Sequence, residues 1–275
     1  MNKIILAFVG AGLIAGSLAA NASPENDRKQ IINTYKKKYP KIKLDQYVYG
    51  AMIYDDGALD QYKTIMDFPP FEGVIEEGKA MWEKPFANGK TYAECFPNGG
   101  KNAAGNYPQF DDKQGKVVTF EMALNACREA NGEKAMEYSG KEIGKLTSYA
   151  RTLSDGMKMN VKVQGPAAQE AFERGKNMFF QRRGQLNFSC ATCHMDNAGH
   201  RIRSEFLSPA VGHATHWPVF RGGDNLVTLQ QRYAQCFNQV RAVSLKPGSQ
   251  EFNELEYFHS YLSNGLPMKA SVFRK

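Results

Sequence analysis

The sequence predicts a mostly α-helical molecule built from one unit written twice, and three observations predict it. A Gly-Lys-x-Met-aromatic segment occurs at Gly78 ("GKAMW") and returns at Gly175 ("GKNMF"). Each is followed by a cysteine segment and then by "VTFEMALNAC" (118–127) or "VTLQQRYAQC" (227–236), with the same spacing from valine to cysteine. Each copy then closes on an amphipathic run ending in glycine, "EIGKLTSYARTLSDG" and "FNELEYFHSYLSNG", a pattern that reads as a helix with a glycine stop.

The chain opens with Lys3, an apolar run from Ile4 to about Ala20, and the small-x-small triplet Ala20-Asn21-Ala22. This is the pattern of a cleavable secretory signal over 1–22, and it places the mature protein in an oxidising compartment, the periplasm. No later stretch is apolar enough to span a bilayer, so no membrane span is expected after processing. Residues 23–69 form an N-terminal extension without a motif; its basic run "KKKYPKIK" (36–43) reads as a solvated face. The formal net charge of +7 suggests an anionic substrate or partner. Nucleic acid does not fit an exported chain whose lysines are otherwise scattered.

The repeat divides the rest into a first unit over 70–156, a linker over 157–165 and a second unit over 166–275. Gly165-Pro166 starts the next helix. "YPQF" (107–110) matches "WPVF" (217–220) between the anchors already named. In the closing run of the second copy, Phe258, Tyr261 and Leu262 sit at helical spacing and are expected to form core or the wall of a binding site.

The two copies differ where the chemistry lies. "CATCH" places Cys190, Cys193 and His194 in the spacing that attaches a c-type haem: two thioether cysteines, and a histidine that supplies one axial ligand. Aligned on it, the first copy reads Tyr92-Ala93-Glu94-Cys95-Phe96, which lacks one thioether cysteine and the histidine. Two tandem cytochrome c-like domains follow, with one covalently attached haem held by the C-terminal domain alone.

Three cysteines remain: Cys95, Cys127 and Cys236. Cys127 and Cys236 are equivalent positions, and Cys95 is equivalent to a thioether cysteine. In the haem-free copy nothing separates that pair, so Cys95 and Cys127 are expected to close as a disulfide. Cys236 is left as a candidate iron ligand opposite His194, since coordination deprotonates a thiol. Met195, His200, His213, His216 and Met268 are its competitors. Arg232 lies one helical turn before Cys236, while the first copy has Ala123 at that position; a guanidinium found only beside the haem suits an oxyanion. Arg201, Arg203, Arg221 and Arg241 read as surface charges or haem-propionate partners.

The exported start, paired cytochrome units, "CATCH" and "QRYAQC" resemble the SoxA family, the catalytic subunits of the SoxAX cytochrome complex of bacterial thiosulfate oxidation, over nearly the whole mature chain. With Tyr92 and Phe96 in place of haem ligands, the chain is similar to the single-haem variant. The resemblance implies that Cys190 and Cys193 anchor the haem and His194 is the proximal ligand. It makes Cys236 both distal ligand and catalytic sulfur, as a persulfide, and Arg232 substrate-binding. It further implies an L-cysteine S-thiosulfotransferase that couples thiosulfate to a cysteine of the SoxYZ carrier protein. Electrons would pass through a SoxX monohaem partner to an accepting cytochrome c. A plain electron-transfer cytochrome and a thiosulfate dehydrogenase forming tetrathionate are the alternatives.

Overall fold

The computed structural model describes residues 23–274, so the export segment read over 1–22 lies outside the described residues. The N-terminal extension is ordered into helices. α1 (Pro24–Lys38) is capped by the Ser23 hydroxyl, which accepts from the Asn26 amide; its first turn carries Glu25 and Asp27 and its last turn three lysines, matching the helix dipole. A 3₁₀ stretch, Leu44–Tyr54, leads to α2 (Asp56–Asp67), capped by Asp55.

The first copy starts at α3 (Glu72–Glu83), passes a short turn over Tyr92–Cys95, and forms a hairpin from β1 (Gln109–Asp111) and β2 (Lys116–Val118). Two helices complete it, α4 (Phe120–Ala130) and α5 (Lys141–Thr152). The second copy repeats the order. α6 (Pro166–Phe180) precedes a π-type turn over Thr192–Asp196, and a small hairpin of β3 (Arg201–Ile202) and β4 (Glu205–Phe206) comes next. A second hairpin pairs β5 (Val219–Arg221) with β6 (Asn225–Val227), before α7 (Leu229–Gln239) and α8 (Gln250–Tyr261). The last strand, β7 (Phe273–Arg274), runs parallel to β5 and completes a three-stranded sheet.

Both copies use the same two devices. Thr119 and Thr228 follow equivalent hairpins and cap α4 and α7, each hydroxyl accepting from the amide three residues on. The outer helices cross at glycine. A Cβ on Gly78 would stand 2.2 Å from the Lys145 carbonyl oxygen, and one on Gly175 would stand 1.9 Å from that of Glu254. Only a residue without a side chain lets α3 meet α5, and α6 meet α8, this closely.

The segment between the copies is packed rather than loose. Met159 and Val161 are buried, and main-chain bonds join Met159 to Leu266 and Met268 to Met157. Buried polar groups also gather within each half, and Arg151 reaches from the first to the second. Gln230 donates to Asn253 and Glu256, Thr119 bonds Tyr138, and Arg151 donates to the Ala214 carbonyl. Burial, reinforced by the charge of Glu121, pushes the Glu256 carboxyl up to about 8.

Candidate haem site

The "CATCH" segment is held by its own hydroxyls. Ser189 and Thr192 cap each other: the Thr192 amide donates to Ser189 Oγ (3.0 Å) and the Ser189 amide to Thr192 Oγ1 (3.1 Å). The widened turn that follows carries His194. Its Nδ1 lies 2.8 Å from the Ser208 carbonyl oxygen. A carbonyl only accepts, so Nδ1 carries the proton and Nε2 keeps the lone pair for a metal. Burial lowers the pKa of His194 and favours that neutral form.

Cys190, Cys193 and Cys236 are all reduced and half-buried. Burial raises each thiol, Cys190 to about 12, and the charge of Cys236 raises both Cys190 and Cys193 further, so the three sulfurs share one neighbourhood. Arg232 and then Arg221 act in the opposite direction on Cys236. Arg232 lies one turn before Cys236 in α7 and extends to a half-exposed position near Gln235 (3.3 Å). Arg221, at the end of β5 and 26% exposed, stands 3.6 Å from Glu205. The sequence reads Arg221 as a surface charge or haem-propionate partner; the short hairpin that sets it near Cys236 has no local sequence signal of its own. The donor set of two adjacent thiols, a correctly protonated imidazole and a third thiol from another helix fits a c-type haem.

The competing ligands are distributed differently. His200 is exposed, with its ring nitrogen 3.4 Å from Asn197. Met268 is buried at the joint between the halves, near Gly105 and Met157. His216 is buried and stacked on Trp217. The His213 ring touches that of His194, with centroids 4.9 Å apart. Two imidazoles across one metal would stand roughly 6 Å apart, given bonds of about 2 Å. His213 is therefore closer to His194 than two imidazoles on opposite sides of one metal would stand. Met195 packs against the core on the His194 side of the turn.

A family model described as "SoxA/TsdA, cytochrome c domain" matches residues 77–159. The L-cysteine S-thiosulfotransferase subunit SoxA of Chlorobaculum tepidum is 43% identical, covering 100% of both chains. That of Allochromatium vinosum is 40% identical over 98% of this chain and 96% of its own. The chain belongs to the SoxA family. Among solved structures, SoxXA from P. pantotrophus matches with a TM-score of 0.71 and 31% identity, covering 78% of this chain and 84% of that one.

The part matched by the SoxA/TsdA model is the copy without the haem motif. There Cys95 and Cys127 are joined as a disulfide across 32 residues. Aromatic rings fill the surroundings: Trp82 stacks on Tyr92 at 5.5 Å and on Phe96 at 5.7 Å, and Phe96 meets Phe120 edge-on. Tyr92 and Phe96, which stand at the positions of Cys190 and His194, are core residues of this SoxA chain. Among the described residues of this family member, no helix is long and apolar enough to cross a membrane.

Proposed function

We propose that this chain is the thiosulfate-coupling subunit of a periplasmic SoxAX complex. In this reading it consists of two tandem cytochrome c-like domains, 70–156 and 166–275, joined by 157–165 and preceded by the extension 23–69. Residues 1–22 are an export signal. One haem would be held through Cys190 and Cys193 of the second domain, with His194 and Cys236 as the residues that would ligate its iron. The haem, when bound, supplies a route by which two electrons leave singly.

The chain's own residues do the rest. Arg232, with Arg221 nearby, attracts the thiosulfate dianion and holds its sulfonate end beside Cys236. The sulfur at Cys236, in the persulfide form implied by family resemblance, bonds to the terminal sulfur of thiosulfate, and two electrons depart through SoxX to an accepting cytochrome c. A cysteine thiolate of the SoxYZ carrier then attacks that terminal sulfur, and the Cys236-side sulfur leaves as thiolate. The net change is carrier thiol plus thiosulfate to carrier S-thiosulfonate, one proton and two electrons.

The observation that supports this most is the pairing of Arg232 and Cys236 on one turn of α7, beside the two thioether thiols. The test supplies thiosulfate, carrier and SoxX to the holoprotein and follows cytochrome c reduction. Cys236→Ala is expected to abolish turnover while haem stays attached. Full activity in that variant, or tetrathionate as product in place of carrier conjugate, contradicts the reading.

A further inference from the structure

The N-terminal extension carries no motif, yet it reaches the proximal side of the site. The Tyr35 hydroxyl donates to the main-chain carbonyl of His194 and accepts from the Ala210 amide at 2.9 Å. That same amide also donates to the His194 carbonyl at 3.0 Å. One phenol thus ties the turn that carries His194 to the segment after β4 that carries Ser208, whose carbonyl holds Nδ1. Tyr35 is 1% exposed, and its ring packs on Tyr47.

The neighbouring residues extend the same contact. Lys38 donates to the carbonyls of Asp196 (2.8 Å) and Ala198 (3.1 Å), and the Tyr39 hydroxyl donates to that of Ala198. Part of the basic run is therefore engaged with the haem motif, where the sequence reads as a solvated face. Two glycines with positive φ accept the extension: a Cβ on Gly199 would stand 2.1 Å from the Tyr39 hydroxyl, and one on Gly212 2.3 Å from the Tyr47 carbonyl.

We propose that Tyr35 is a positioning residue for the proximal ligand, fixing the His194–Ser208 hydrogen bond and through it the electron density at the ligating nitrogen. This rests on the reading of His194 as iron ligand. An imidazole whose Nδ1–H bonds a carbonyl firmly is the more basic ligand and favours the oxidised metal.

The experiment is redox titration and low-temperature electron paramagnetic resonance of the holoprotein. Tyr35→Phe is expected to keep its haem while its potential shifts upward and its ferric signal changes. Tyr257→Phe removes another buried phenol-to-carbonyl bond, to Lys162, and is expected to lower thermal stability without moving either readout. Equal spectra and potentials in Tyr35→Phe and parent overturn the proposal, as do equal shifts in both variants. Should Tyr35→Phe not fold, Lys38→Ala combined with Tyr39→Phe is expected to give a smaller upward shift, and no shift there overturns it. A parent protein lacking His194-ligated haem overturns this proposal together with the site reading, whereas a normal parent with unresponsive variants overturns this proposal alone.

Discussion

The two copies share helices, hairpins, threonine caps and glycine crossings, and they differ in what occupies the centre. In the first, Cys95 and Cys127 bond each other and aromatic rings close the space around them. In the second, Cys190, Cys193 and Cys236 form no disulfide and lie near His194, whose Nδ1 bonds the Ser208 carbonyl. Equivalent cysteines thus serve two ends. Where the full motif is absent, the cysteine equivalent to Cys236 is tied into a disulfide. Where it is intact, that thiol stays available, and a guanidinium replaces Ala123 one turn before it.

This contrast can be broken by substitution. The largest stability effect is expected from Cys95→Ala with Cys127→Ala: closing a loop of this length stabilises by about 3–4 kcal/mol in the chain-entropy view. Calorimetry should show the loss, while the haem absorption spectrum stays unchanged. An altered haem spectrum would mean that the copies are not separate in function. In the second copy, Arg232→Ala is expected to lower kcat/KM for thiosulfate by about 10- to 100-fold, the range of a hydrogen bond to a charged group. Arg232→Lys should recover part of it, and unchanged steady-state kinetics would remove Arg232 from the substrate site.

The shared frame is sharpened by matched changes. Gly78→Ala and Gly175→Ala each push a methyl into a facing backbone oxygen. Each is expected to cost about 1–3 kcal/mol by overpacking, as read by denaturant midpoints. A large loss in only one of them would show that the two crossings are not equivalent. A pH-dependent effect concerns the joint between the halves. The buried Glu256 carboxyl titrates near 8, above its value in the unfolded chain. The folded protein therefore binds more protons between the two values, and stability falls as pH rises from about 5 to about 8. Glu256→Gln is expected to flatten that fall, by at most about 1.4 kcal/mol per pH unit. An unchanged slope in pH-dependent thermal melts would show that Glu256 is not the group responsible.

What could be read in the sequence follows the range of each interaction. The closing helices were legible because their apolar residues repeat over a few positions: Phe258 and Leu262 are buried in the core. The cysteine division was legible because the repeat supplies its own internal alignment. The hairpins were not, since strands of two or three residues leave no periodicity. Nor was the extension, whose hold on the haem motif joins Tyr35 to a carbonyl 159 residues away. The approach of Arg221 to Cys236 has the same cause, since it depends on where a short hairpin places the side chain.

In the proposed reading the second copy alone carries the redox centre, with the Cys236 sulfur opposite His194. Low-temperature electron paramagnetic resonance of the ferric holoprotein and its Cys236→Ala variant tests this most directly. The account predicts one low-spin haem with an imidazole–thiolate signature that is lost in the variant. An identical signal in both proteins would contradict it.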